Sequence, residues 1–206
     1  MNILRLDASM RQSGSDSRSL ADILVTKLQK KLAASTLACR DLRTGIGHVS
    51  SAWREASLNN AETRSSQDRA VLAQSDALSA ELDRADILVV AMPMYNFSVP
   101  TSFRAWVDLV CRDNVDGASP TSFGARAQNK RAVVVLTSNH TKCCASDDFA
   151  TGYAKFILRF LGATSVDIVD ATGLASDRDA VLGRARATID RLAEKLSHAG
   201  EPVAAK

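Results

Sequence analysis

The segment ADILVVAMPMYNFSVPTSFRAWVDLV, residues 85–110, combines a strand, a loop and a helix, and its pattern decides the fold. Residues 87–91 form a short apolar run with several β-branched side chains, which is typical of a strand buried on both faces. A polar turn normally follows such a strand. Here the loop is PMYNFSVP, with a methionine and two aromatic side chains around a single amide. The sequence therefore places apolar side chains where a loop usually meets water.

Strands and helices alternate along the rest of the chain. Short apolar runs predict strands at 2–9, 35–42, 86–92, 131–138 and 164–173. Apolar side chains at helical spacing predict helices at 17–34, 65–85, 100–112, 147–162 and 176–200. Short helical pieces around Trp53 lie between the second strand and the second long helix. This alternation favours a parallel sheet that is covered by helices on both faces.

Composition indicates one compact domain. The chain has 206 residues, of which 46% are hydrophobic, and we expect a single domain at 1–200 with a flexible tail at 201–206. No apolar run approaches the ~18–20 residues of a membrane helix, and the N-terminus lacks a signal-peptide core. We therefore expect a cytoplasmic protein with no membrane partner.

Charge and cysteine content limit the function further. The net charge of +3 is spread along the chain, which disfavours a nucleic-acid partner and also a strongly acidic electron carrier. The four cysteines fit no zinc-binding spacing and no CxxC motif, so we expect no metal site. Cys39 and Cys111 lie in apolar-patterned segments, which predicts buried thiols. Two interpretations are open for the adjacent Cys143 and Cys144, a redox-active pair or an incidental feature of a loop.

The loop after the first strand, ASMRQSGSDSRSL, is rich in hydroxyl groups and runs directly into a helix. A helix N-terminus offers unpaired N–H groups and the positive end of the helix dipole, which suits a phosphate. Ser9, Ser15 and Ser17 are able to donate hydroxyl hydrogen bonds, with Arg11 or Arg18 supplying positive charge. Neither a GxGxxG nor a GxxxxGK[ST] motif is present, which argues against Rossmann dinucleotide and Walker sites. An ordinary helix cap at Ser15 or Ser17 explains the same residues equally well.

The loop after the third strand suits a planar ring system. Met94 and Tyr95 would form walls, Phe97 would pack at the edge, and Asn96 or loop N–H groups would bond a polar rim. The alternative is that these residues cover the core or form a subunit contact. Ligands of open α/β sheets bind beyond the carboxyl ends of the strands, where this loop and the hydroxyl-rich loop both lie. Their combination favours a ligand site.

The sequence resembles a known family at these loops. PMYNF, followed by a helix with WVDLV, looks like the FMN-dependent NADH-azoreductases of the flavodoxin-like quinone reductase superfamily. The blocks SDSRSL, ADILVVAMPMYNF and FILRFLGATSVDIVDATGL are similar to the family in order and spacing, so the resemblance covers nearly the whole chain. It implies an α/β, flavodoxin-like three-layer sandwich with a five-stranded parallel sheet in the order 2-1-3-4-5 and helices on both faces.

The resemblance also implies an activity. Enzymes of this family bind FMN non-covalently at a homodimer interface, take hydride from NADH or NADPH, and reduce quinones or azo compounds in a two-electron ping-pong cycle. By this resemblance, two groups of residues surround the FMN. Those around the phosphate are Ser9, Ser15, Asp16 and Ser17, and those along the isoalloxazine ring are Met94, Tyr95, Asn96 and Phe97.

The loop after the fourth strand departs from the family pattern. The family commonly has a Ser-x-Gly-Gly segment against the flavin, whereas here Ser138 is followed by Asn139, His140 and Thr141. A Cβ atom restricts close approach and positive φ, although asparagine tolerates the left-handed region better than most residues. His140 either bonds the flavin or an acceptor, or is a solvated loop residue. These four residues complete the predicted site.

No catalytic residue of another enzyme class stands out. The sequence has no HExxH motif, and no GxSxG motif follows a strand, which is consistent with a cofactor that carries the chemistry. Two alternatives remain at this point. One is an electron-transfer flavodoxin that does not oxidise NAD(P)H, and the other is a non-enzymatic flavodoxin-like binding module, which the missing glycines after Ser138 favour.

Overall fold

The structure, a computed structural model, describes residues 1–112 and 129–198, in which strands and helices alternate as predicted. The strands are β1 (Asn2–Asp7), β2 (Thr36–Asp41), β3 (Ile87–Pro93), β4 (Lys130–Thr137) and β5 (Ala163–Ala171). The helices are α1 (Asp16–Lys31), α2 (Ser51–Leu58), α3 (Ser66–Arg84), α4 (Thr101–Val110), α5 (Phe149–Phe160) and α6 (Arg178–His198), with a 3-10 turn at Ala61–Thr63. The predicted tail, 201–206, lies outside the described residues.

The sheet has the predicted topology. Its five strands are parallel and lie in the order β2-β1-β3-β4-β5, which confirms the predicted fold class. The direction in which the chain adds strands reverses between β1 and β3, which pair from Ile3 with Ile87 to Asp7 with Ala91. Ligands of open α/β sheets bind beyond the carboxyl ends of the strands at such a reversal. The loops after β1 and β3 therefore leave the sheet side by side at the expected site.

Apolar clusters cover both faces of the sheet. Val89 and Ala91 of β3 face the cluster formed with α1 and α6, whereas Val90 and Met92 face the cluster formed with α3, α4 and α5. Every residue of β3 is buried, because this strand is paired on both edges and covered on both faces. The loop that follows it therefore starts from a strand that is fully enclosed by the fold. None of the helices within the described ranges combines the length and apolar character that a bilayer crossing requires.

The prediction of a buried Cys39 is wrong. Cys39 is exposed, because β2 lies at the edge of the sheet beside β1 and most of its residues face solvent. Cys111, which follows α4, is half-buried rather than buried. The pattern of STLACRDL indicated the strand correctly, but it did not show that this strand lies at the edge of the sheet.

Candidate functional site

A cavity of about 430 Å³ lies at the reversal in strand order, between the loops that follow β1, β3 and β4. This volume falls within the roughly 300–1,000 Å³ that is usual for small-molecule and cofactor pockets. The cavity is lined by all the predicted site residues except Ser17, namely Ser9, Ser15, Asp16, Met94, Tyr95, Asn96, Phe97, Ser138, Asn139, His140 and Thr141. It is also lined by Arg11, Pro93, Thr137 and Leu174.

Ser15 stands at the N-cap of α1 without capping it. In α2, α3 and α5 the side chains of Ser50, Ser65 and Asp148 accept hydrogen bonds from N–H groups of the first turn. The Ser15 side chain makes no such bond, and its hydroxyl lies 3.2 Å from that of Ser17. The ordinary-cap interpretation therefore does not describe Ser15. The first turn of α1 keeps N–H groups that no side-chain cap occupies, beside a cavity, which is the arrangement that suits an anion.

Ser17 and Asp16 are placed differently from their neighbours in this loop. Ser17 is 1% exposed and does not line the cavity; it contacts the Ser15 hydroxyl from inside the protein. The Asp16 carboxylate accepts hydrogen bonds from Arg178 at the start of α6, with 3.1 Å between Nη1 and Oδ2. This ion pair offsets a negative charge next to the open N-terminus of α1. The sequence did not indicate it, because the partners are 162 positions apart.

Arg18 holds the hydroxyl-rich loop in place instead of entering the cavity. Its guanidinium donates to the Ser9 carbonyl at 2.7 Å and to both carboxylate oxygens of Asp41 at 2.9 and 3.1 Å. Arg43 donates to the same carboxylate. Burial by itself would raise the pKa of Asp41, but the hydrogen bonds from Arg18 and Arg43 outweigh burial and hold this pKa well below its ordinary value. Arg11 is the arginine of this loop that lines the cavity.

Replacing Asp41 by asparagine is expected to lower the free energy of unfolding at neutral pH by about 1–2 kcal/mol, because hydrogen bonds to charged groups contribute about 1.5–3 kcal/mol before partial exposure is discounted. The pKa of Asp41 is lower in the folded than in the unfolded state. Its contribution is therefore complete above the unfolded value of about 3.9 and is lost as the pH falls through the folded value.

The measurement is chemical denaturation of wild type and variant from neutral pH to about pH 3, which reaches the upper part of the pH window in which this contribution is lost. The difference between the two proteins should narrow below about pH 4. Asp190→Asn is the control, because Asp190 forms an exposed ion pair with Lys27 and should change stability by less than about 0.5 kcal/mol. A difference that stays constant across this range would contradict the prediction.

The loop after β3 is a tight turn with unusual backbone angles. Tyr95 and Ser98 exchange two N–H···O bonds of 3.0 Å, and the residues between them have φ angles of 47° at Asn96 and 68° at Phe97. Two central residues with positive φ define a type I′ turn, for which asparagine followed by glycine is preferred. A phenylalanine at the second position is strained by about 1–3 kcal/mol, and such strain is concentrated at functional sites.

Hydrogen bonds on three sides fix this turn. Met94 N donates to the Thr137 carbonyl at 2.7 Å, and Phe149 N at the start of α5 donates to the Phe97 carbonyl at 2.9 Å. The Tyr95 hydroxyl accepts from Met10 N at 3.2 Å, which joins this loop to the hydroxyl-rich loop. Met94 and Tyr95 are half-buried, whereas the Phe97 side chain is 53% exposed. The turn is therefore held firmly while its aromatic side chain remains available at the cavity.

The loop after β4 adopts its course without glycine. Asn139, His140 and Thr141 all have negative φ, so the glycines of the family pattern are not required for the backbone conformation here. The backbone of Asn139 does not adopt the left-handed conformation that asparagine tolerates. Instead, backbone bonds attach the loop to the segment after β5: Leu174 N donates to the Ser138 carbonyl and Ala175 N to the Asn139 carbonyl, both at 3.0 Å.

Comparisons with known proteins agree with this arrangement. A family model described as flavodoxin-like fold matches residues 1–196. The chain is 36% identical over 196 residues to FMN-dependent NADH:quinone oxidoreductase 1 of Colwellia psychrerythraea, covering 93% of this chain and 100% of that protein. It is 39% identical over 194 residues to the protein of the same name from Jannaschia sp., covering 93% and 98% of the two chains. This chain belongs to the family of FMN-dependent NADH:quinone oxidoreductases.

Solved structures support the fold of this quinone oxidoreductase family member. The FMN-dependent NADH-azoreductase from Bacillus anthracis, solved in complex with FMN, aligns with a TM-score of 0.80 and covers 96% of this chain and 100% of its own, at 17% identity. At that identity the likeness shows the fold alone. The relatives and the family model confirm the predicted membership of the flavodoxin-like quinone reductase superfamily.

Three cavity-lining residues outside the predicted site come from strand ends. Pro93 and Thr137 are the last residues of β3 and β4, and Leu174 follows β5. A signal for Leu174 was present, since the block FILRFLGATSVDIVDATGL that resembles the family ends at this residue. The carboxyl end of β5 was not considered as part of the site, because the sequence alone does not show that the segment after β5 bonds to the loop after β4.

Proposed function

We propose that this protein is an FMN-dependent oxidoreductase that takes hydride from NADH or NADPH and reduces quinones, and azo compounds, by two-electron transfer in a ping-pong cycle. The observation that carries the proposal is a single cavity that joins an uncapped helix N-terminus to an aromatic turn. The names of the relatives supply the donor, cofactor and acceptor.

The cavity suits FMN at both ends. A phosphate would be held by the first turn of α1 and by the hydroxyls of Ser9 and Ser15, with Arg11 nearby and with the Asp16 charge offset by Arg178. At the other end, the side chains of Met94, Tyr95, Phe97 and Leu174 give an apolar lining for a ring system, while Asn96 and the loop Ser138, Asn139, His140 and Thr141 supply polar groups. Ser17 would support the phosphate end from behind.

FMN, when bound, supplies the group that accepts hydride and passes on two electrons, so no catalytic side chain is required. The protein contributes a rigid frame: the turn at Tyr95–Ser98 and the segment after β4 are each fixed by backbone hydrogen bonds. Rigid donors that are already oriented stabilise developing charge without reorganisation. His140 is exposed at the cavity, which makes it the candidate for contact with an acceptor.

We also propose that two copies of the chain form a homodimer with the site at their interface. Phe149 and Phe156 on α5 are 65% and 53% exposed, and Phe149 is bonded through its backbone to Phe97 at the cavity. Large exposed aromatic side chains beside a cavity are typical of a surface that another protein covers. The cytoplasm is the proposed location, because NADH is available there.

The enzyme is favoured over the two alternatives. The relatives bear the names of enzymes that use NADH and quinone, which supports an oxidoreductase over an electron-transfer flavodoxin. The non-enzymatic module was suggested by the missing glycines after Ser138. Since the segment after β4 has no positive φ at Asn139, His140 and Thr141, this departure requires no strained backbone beside the cavity.

The proposal is tested by the visible spectrum of the purified protein, after removal and re-addition of FMN. The flavin bands are expected to return on re-addition, to bleach with NADH under anaerobic conditions, and to recover when a quinone is added. NADPH and an azo dye in parallel reactions determine donor preference and acceptor range. Bands that return but do not bleach with either nucleotide would contradict the enzyme, and a protein that does not rebind FMN would contradict the cofactor.

A further inference from the structure

Cys143 and Cys144 form a cluster with Asp148 in the loop between β4 and α5. The two Sγ atoms are 3.6 Å apart, and both sulfurs and a carboxylate oxygen of Asp148 lie within 4.8 Å of one another. Cys144 is exposed, and the other two residues are half-buried. None of the three lines the cavity of the candidate site, so the cluster has no part in the proposed oxidoreductase function.

The spacing of the sulfurs suits a shared metal ion better than a disulfide. In tetrahedral zinc sites the Zn–S distance is about 2.3 Å, which places two thiolates about 3.8 Å apart. A disulfide needs an S–S distance of about 2.05 Å and Cα atoms at least about 4.4 Å apart, whereas neighbouring residues have Cα atoms about 3.8 Å apart. Bridging Cys143 to Cys144 would therefore strain the backbone, while chelation leaves it as it is.

Hydrogen bonds hold the three ligand groups in position. Cys143 N donates to Thr172 Oγ1 and Cys144 N donates to Asp148 Oδ2, both at 2.8 Å. The other carboxylate oxygen, Oδ1, accepts from the first turn of α5. Cys144 has a φ of 63°, a conformation that glycine adopts without strain, so this thiol lies on a strained segment of backbone.

We infer that Cys143, Cys144 and Asp148 form a binding site for a thiophilic divalent cation such as Zn²⁺, with two thiolates, one carboxylate oxygen and a fourth position for water. The cation takes the place of the Thr151 hydroxyl, which donates to Asp148 Oδ2 at 2.5 Å. This metal site was not predicted, because adjacent cysteines match no known zinc spacing.

Binding replaces two thiol protons by one cation, so two protons are released for each ion bound. The protons must be displaced by the metal, and the affinity is therefore expected to rise with pH.

The test is a titration of the full-length purified protein with Zn²⁺ by calorimetry in two buffers of different ionisation enthalpy, and with Cd²⁺ by ultraviolet difference absorbance. One ion per chain, two protons released and a thiolate-to-cadmium charge-transfer band are expected. These readouts do not depend on FMN or on turnover. The absence of binding, or a thiol count showing the pair oxidised in freshly reduced protein, would overturn the inference.

Matched variants assign the ligands. Cys144→Gly suits the local φ and should fold at least as well as wild type. It should weaken the binding of Zn²⁺ by more than about 100-fold, because loss of a ligand costs more than the roughly 10–100-fold that is typical when a residue hydrogen-bonded to a ligand is replaced. Asp148→Asn keeps a good N-cap residue on α5 and should weaken binding by at least about 10-fold. Cys39→Ser removes an exposed thiol elsewhere and should leave binding unchanged. Binding that persists in the Cys144→Gly variant would place the ion at another site.

Discussion

Replacing Ser15 by aspartate is expected to weaken FMN binding by at least about 100-fold. The substitution places a carboxylate at the cavity wall beside the uncapped N-terminus of α1, where the FMN phosphate is proposed to lie. Two like charges about 4 Å apart repel by about 4 kcal/mol at an effective dielectric constant of about 20, which is larger than the 2.7 kcal/mol that corresponds to about 100-fold. Fluorescence titration of the flavin-free protein measures the affinity directly.

Ser15→Asn is the matched control, because asparagine has the same shape as aspartate without its charge. Serine, aspartate and asparagine are comparable N-cap residues, so both variants should keep the stability of wild type to within about 1 kcal/mol. The asparagine variant is expected to bind FMN within about tenfold of wild type. If the aspartate variant binds FMN as tightly as wild type, the phosphate lies elsewhere. Equal losses in both variants would indicate a role for the hydroxyl group and not for charge.

The fold was predictable because its central strands carry a strong signal. β3 and β4 are apolar runs that are almost entirely buried, which is typical of strands in a parallel sheet that is covered by helices on both faces. The edge strand was less informative, since β2 mixes apolar with polar and charged residues and is largely exposed, and the prediction of a buried Cys39 was therefore wrong. Burial of a single residue depends on strand order, which composition does not contain.

The cavity residues that are adjacent in sequence were predictable, as in the segment MYNF at 94–97. So were the residues at the carboxyl ends of parallel strands, because these ends share one edge of the sheet. Interactions between distant segments were not. Arg178 forms an ion pair with Asp16, which is 162 positions away in the sequence. Ser17 is buried, although nothing in the sequence distinguishes it from Ser9 and Ser15, which line the cavity. The conformation of the loop after β4 was also hidden. The sequence showed that glycines were missing, but the structure shows that positive φ falls at Cys144 and not at Asn139.

Replacing Phe97 by glycine or by alanine is expected to weaken FMN binding or lower kcat/KM to a similar extent, by about tenfold. Both substitutions remove the exposed ring that is proposed to lie against the flavin, and an aromatic pair contributes about 0.5–1.5 kcal/mol beyond its buried area. The ring is 53% exposed in the single chain, so its contribution to the stability of the fold is modest. Flavin titration and steady-state kinetics with NADH and a quinone measure the two effects.

The stabilities of the two variants should differ, since only glycine relieves the strain at a φ of 68°. The left-handed conformation costs an L-residue about 1–2 kcal/mol, and glycine loses about 0.5–1 kcal/mol of this advantage through its greater freedom in the unfolded chain. The Phe97→Gly variant should therefore be more stable than Phe97→Ala by roughly 0.5–1 kcal/mol in chemical denaturation. Full activity in both variants would show that the ring does not contact the flavin. Equal stability would show that the turn relaxes when the ring is removed, and that the strain depends on the aromatic side chain itself.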